Sequence, residues 1–105
     1  MDPDEYFGDI VDDLAPQGVR PGRMFGRQAL KFEDKVLAVY HRDDMVFKLG
    51  SGTPPHAEAL SLAGAELFDP SGKGRPFKDW VKVPADHADR WADYASASLA
   101  RHRKA

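Results

Sequence analysis

The chain has 105 residues, with 15 Lys and Arg, 17 Asp and Glu, a net charge of −2 and no cysteine. That length fits one domain, and the absence of thiols excludes disulfides, thiolate zinc sites and cysteine nucleophiles. The near-neutral charge excludes a globally polycationic nucleic-acid binder, and no apolar run approaches the ~20 residues that span a bilayer.

The first residues, Met1-Asp2-Pro3-Asp4-Glu5, are acidic where a secretory signal is basic, so a cytoplasmic protein is expected. Charge is unevenly spread. Asp2, Asp4, Glu5, Asp9, Asp12 and Asp13 crowd the first segment, Arg20, Arg23, Arg27, Lys31 and Lys35 follow, and Arg101, His102, Arg103 and Lys104 end the chain. Patches of opposite sign steer partners or pair two copies of a chain. Acids at the front of a helix and bases at its end also suit the helix dipole.

The spacing of Tyr6, Phe7, Ile10, Val11 and Leu14 predicts a helix over 3–14, capped by Asp2 and opened by Pro3. Pro16 and Gly18 end it, and residues 15–22 read as a loop. Three antiparallel strands are expected between Gly22 and Leu49, with Gly26 a bulge or break in the first and turns at Glu33-Asp34-Lys35 and Arg42-Asp43-Asp44. Val36 to Tyr40 is nearly all apolar, as in a central strand covered on both faces. Thr53 and Pro54-Pro55 open a short helix to about Ala63, with Leu60 and Ala63 inward and Gly64 at its end. A short strand at 66–69, a loop at 70–74 and a strand at 76–83 follow, with Trp80 on the opposite side from Val81. Pro84 starts the last helix, whose stripe is Ala88, Trp91, Ala95 and Leu99, with Tyr94 and Ser98 on its flank. Asp86 and Arg90 stand four apart and can pair, and 101–105 reads as a frayed tail. The expected fold is α+β, a single domain of order α-β-β-β-α-β-β-α with an antiparallel sheet.

No complete catalytic set, metal site or cofactor motif is read from the residues. Gly72-Lys73-Gly74 lacks the spacing of a phosphate loop, since Leu67 stands where the first glycine belongs. No two of His41, His56, His87 and His102 have the spacing that sets two ligands on one helix face. Neighbouring carboxylates at Asp12-Asp13 and Asp43-Asp44 point apart. One pattern carries a binding alternative. If 23–31 is an unbroken strand, Arg23, Phe25, Arg27, Ala29 and Lys31 share a face, a basic stripe with an aromatic in it that can lie along a nucleic-acid backbone or another partner. A solvated edge strand, where cations discourage aggregation, explains the same residues.

Arg23-Met24-Phe25-Gly26, Phe47-Lys48-Leu49, Gly64-Ala65-Glu66-Leu67-Phe68 and Trp80-Val81-Lys82-Val83-Pro84 leading to Trp91-Ala92 occur in an order that resembles the TfoX (Sxy) N-terminal domain family. The resemblance covers 19–99. Arg27 stands where that family has a second glycine, and Trp80-Val81-Lys82 where it has an aromatic pair. Trp80-Val81, Phe47-Lys48 and Tyr94 with Ser98-Leu99 are also similar to the MmcQ/YjbR family. Both families imply an α-β(3)-α-β(2)-α arrangement grouped with secretion chaperones. The larger TfoX proteins are transcriptional co-activators with a second domain, which this chain ends before reaching. A competence role is therefore not expected, and no catalytic or cofactor residues carry over. The leading expectation is a non-enzymatic module that binds a protein or DNA partner, with a role in transcriptional regulation. The alternative is a small-ligand-binding or chaperone-like homodimer, with Trp80 and Tyr40 exposed at a cleft or interface.

Overall fold

The structure is a computed structural model that describes residues 2–69 and 72–104, for Lys104 the backbone alone. The chain runs through α1 (Pro3–Leu14), β1 (Val19–Met24), β2 (Arg27–Phe32), β3 (Lys35–His41), β4 (Asp44–Lys48), α2 (Pro54–Ser61), β5 (Glu66–Phe68), β6 (Phe77–Val83) and α3 (Trp91–Lys104). Short 3-10 segments cover Ala15–Gln17 and Ala85–Arg90. The strands form one antiparallel sheet in the order β1-β2-β3-β4-β6-β5. The expected α+β class with an antiparallel sheet is the class found.

The meander has four strands rather than three. A tight turn at Phe25 and Gly26, with φ of +56° and +73°, folds the expected first strand into a hairpin. Positive φ at both central residues is the turn that matches strand twist, and Gly26 takes it freely. The partner strand lies in residues read as loop, because Pro21 and Gly22 are rare in strands. At the edge of a sheet, Pro21 needs no partner for its missing N–H. A Cβ at Gly22 would come within 2.9 Å of the Lys31 side chain, so a larger residue there would have to displace that lysine.

Helix α1 begins as its residues predict, with the Asp2 carboxylate accepting from the Glu5 N–H at 3.1 Å and Phe7, Ile10 and Leu14 buried. The α3 stripe of Trp91, Ala95 and Leu99 is buried with Tyr94, against Leu37, Phe47 and Val83 of the sheet. Ser98, also buried, ties helix to sheet through one hydroxyl, 3.1 Å from the Leu37 carbonyl and 2.8 Å from that of Lys48.

Several local expectations give way. Residues 85–90 form a 3-10 segment before α3, so the last helix proper starts at Trp91. It then runs on to Lys104 where a frayed tail was expected, because His102 is buried and its Nδ1 meets the Ser98 carbonyl at 2.8 Å. In α2 the buried residues are His56 and Ala59, whereas Ala63 lies beyond the helix and is exposed. Arg90 pairs with Glu58 instead of Asp86. Pro70 and Ser71 of the expected loop, and Ala105 of the expected tail, lie outside the described residues. No described helix is long and apolar enough to cross a membrane.

Candidate functional site

The sheet has two unlike faces. The helices cover one, which holds Val19, Leu30, Leu37, Met45, Phe47, Val81 and Val83. No described helix packs on the other. Cross-strand register places Ala29, Val39, Val46, Lys82 and Glu66 in one row across it, with Arg27, Lys31, His41, Lys48 and Trp80 on the same side. A second, smaller apolar cluster of Ala29, Val39, Val46, Phe68 and Trp80 sits there.

That cluster is buried although no layer packs over it, and two features account for this. First, the sheet curls. The hairpin tip carries the Phe25 ring to within 6.2 Å of Phe68 and 6.0 Å of Phe77, although β2 and β5 stand far apart in the sheet order. Second, long cationic side chains lay aliphatic stems along apolar surface. The Lys48 ammonium stands 5.9 Å over the Trp80 ring, and Lys82 pairs with Glu66 at 2.9 Å. Trp80 is thus only 8% exposed, and Tyr40 is stacked on Phe7 at 5.0 Å with its hydroxyl donating to Asp4 at 2.7 Å. Neither is the open ring that the sequence led us to expect. Burial, then the hydrogen bond and charge of Asp4, push the Tyr40 phenol far above its ordinary range. Among the described residues, the exposed large apolar side chains are Phe25, at 48%, and Phe77, at 39%.

The four charged and aromatic residues of the predicted stripe, Arg23, Phe25, Arg27 and Lys31, divide. Arg27 and Lys31 share the open face, and the Phe25 ring joins its aromatic cluster. Arg23 does not. A two-residue turn sets Arg27 opposite Met24 and Arg23 opposite Gln28, so Arg23 faces the α1 side. Pro21 and Gln28, which share its face, line an open groove of about 450 Å³ with Asp4, Phe7, Gly8, Val11 and Asp12. The unbroken-strand stripe is therefore corrected to a three-residue patch, to which Lys48, Lys82 and Phe77 are added from strands that the periodicity identified but could not place.

His56, His87 and His102 each set a ring nitrogen against a backbone carbonyl, of Lys78, Ala63 and Ser98 respectively, and serve the fold. His41 differs. It ends β3 on the open face, edge-on to Phe68 at 5.4 Å, and its Nδ1 is buried without a hydrogen-bond partner. Burial lowers its pKa below the ordinary 6.5, as do the charges of Arg27, Lys82 and Arg42, with Asp44 opposing them. The neutral imidazole is therefore favoured by folding, and the sign follows. His41's contribution is complete above about pH 6.5 and is lost as pH falls from there through the lowered folded value. In urea titrations from neutral to mildly acidic pH, the wild-type midpoint should fall, and His41→Gln should flatten the curve in that window. An equal slope in both proteins would remove His41 as the cause.

The 72–75 loop offers no anion cradle of its own. The Asp69 carboxylate accepts from the N–H groups of Gly72 at 3.0 Å, Gly74 at 2.8 Å and Arg75 at 3.2 Å. Comparisons of this chain with protein-family models, curated proteins and solved structures find no match.

Proposed function

We propose that this chain is a nucleic-acid-binding module that lays the open face of its sheet along a phosphate backbone, without catalysing a reaction on it. The observation that supports this reading is how charge follows the layers. Arg20, Arg27, Lys31, Lys48 and Lys82 lie on the open face, against Asp44 and Glu66 alone among the strand residues of that face. Both acids are engaged, Asp44 with the Ala85 N–H at 3.1 Å and Glu66 with Lys82. The helix layer carries Asp4, Glu5, Asp9, Asp12 and Asp13 on α1 and Glu58, Asp86, Asp89 and Asp93 beyond, which outnumber Arg90, Arg101 and Arg103. A net charge of −2 thus conceals a basic face opposite an acidic one, which orients a polyanion before contact. The resemblance to TfoX N-terminal domains suits a role in transcriptional regulation.

Fluorescence anisotropy of a labelled oligonucleotide, titrated at low and moderate salt, tests the reading. Micromolar binding that weakens steeply with salt is expected, because each neutralised phosphate releases condensed counterion. No binding at low salt would overturn it. A second reading, a small-ligand-binding or chaperone-like homodimer, is favoured by the groove between α1 and the first hairpin, whose volume suits a small molecule. A monomer by light scattering at micromolar concentration would count against the dimer.

A further inference from the structure

We infer that the nucleic acid taken by this face is single-stranded, and that an unpaired base stacks on the ring of Phe25. This rests on the proposed nucleic-acid reading and goes beyond it, because phosphate contacts alone do not distinguish one strand from two.

The backbone at Phe25 is the starting point. Its φ of +56° is a conformation that favours Gly, Asn and Asp and penalises a bulky side chain. The other described non-glycine residues with positive φ are Glu33, Arg42 and Asp43, all polar and all in hairpin turns. Closing the β1–β2 turn asks nothing of a phenyl group, and Asn would close it with less strain. The ring that stands there is nonetheless 48% exposed. It is also held in place. Phe68 and Phe77 meet it from the sheet at 6.2 and 6.0 Å, with ring planes inclined by 54° and 42°. Phe77 is itself 39% exposed, so the two rings make one aromatic surface open to solvent. Strained backbone that presents a supported, half-open ring marks a binding position more than a packing one.

The surroundings select the occupant. Arg27 follows the turn directly, and with Lys82 and Arg42 it places positive charge around the adjoining His41. Lys82 has Glu66 as its counterion at 2.9 Å, but an uncharged apolar partner would leave Arg27 and Arg42 without one, whereas a phosphodiester chain supplies anions and flat π-faces together. In a duplex those faces are stacked on one another and closed to Phe25. In a single strand they are free, and stacking on an aromatic side chain is tolerant of base identity.

The test compares three fluorescein-labelled probes of equal length: oligothymidylate, the corresponding abasic phosphodiester, and a duplex. Oligothymidylate is expected to bind about tenfold more tightly than the abasic chain or the duplex. Phe25→Asn, which suits the turn, should erase that preference and leave abasic affinity unchanged, with thermal melting as the folding control. Phe25→Trp should retain or enlarge the preference. Equal affinity for oligothymidylate and the abasic chain, duplex binding as tight as single-strand binding, or a preference that survives Phe25→Asn would each overturn the inference and leave the broader reading standing. Failure of all three probes at low salt would instead overturn the nucleic-acid reading, and equal binding of polyglutamate would point to an acidic protein and overturn both.

Discussion

Trp91→Ala is expected to lower the free energy of unfolding by about 3–5 kcal/mol, the range for truncating a buried aromatic side chain. Trp91 is fully buried, at 0% exposure, at the junction of the 3-10 segment and α3. Tyr6 from α1 and Tyr40 from β3 meet its ring edge-on at 6.2 and 6.3 Å, and its Nε1 donates to the Val83 carbonyl at 3.2 Å. One side chain thus joins α1, the sheet and α3. Truncation opens a cavity among all three and leaves the Val83 carbonyl without its donor, a loss of about 1–3 kcal/mol on its own. Against a total stability of roughly 5–15 kcal/mol for a domain, the variant stands near unfolding. Urea denaturation followed by circular dichroism reads the effect as a lower midpoint. Trp91→Phe separates the terms, because it keeps most of the apolar volume and loses the donor, and about 1–2 kcal/mol is expected from it. A loss below about 1 kcal/mol for Trp91→Ala would mean that this junction does not hold the layers together.

Much of this architecture is legible in local sequence, and the site largely is not. Asp2, Pro3 and the Tyr6-to-Leu14 spacing specify α1, and Thr53 with Pro54 specifies the start of α2, because caps and helical periodicity act within a few residues. The same local logic fails at Phe25-Gly26. The strongest signal for a two-residue hairpin is Asn-Gly or Asp-Gly, and phenylalanine in the first position disguises the turn. Missing that turn reverses the face assigned to Arg23, since a two-residue connection shifts the parity of everything before it. His41, Phe68, Phe77 and Lys82 escape for another reason. Strand alternation gives each a side of its own strand, but the sheet order that unites them sets β6 between β4 and β5, and the curl brings Phe25 to Phe77. No short-range pattern encodes either. Gly26 was the one clue within the sequence: it was read as a bulge or break in the first strand, and its φ of +73° closes the turn instead.

Reversing Arg27 and Lys31 together to Glu is expected to weaken oligonucleotide binding by at least about a hundredfold at low salt, since two attractive phosphate contacts become two repulsive ones. Neutralising both to Ala is milder and more diagnostic. The slope of log affinity against log salt should fall by about 1.4, or about 0.7 for each lost contact with a single strand. Arg23→Glu is the control supplied by the geometry. It lies on the α1 side of the same hairpin, so its reversal should change affinity less than twofold, although the sequence alone grouped it with the other two. An Arg23 effect as large as that of Arg27 and Lys31 would remove the open face as the binding surface. Loss of folding would mimic loss of binding, and His41 distinguishes them. Arg27 is one of the charges that hold the His41 imidazole below its ordinary pKa. A folded Arg27→Glu variant should therefore show a raised His41 titration by NMR and a flatter dependence of stability on pH below about 6.5. Weak binding with that raised titration places the lost charge on the open face of an intact sheet, beside His41, where the proposed strand would lie.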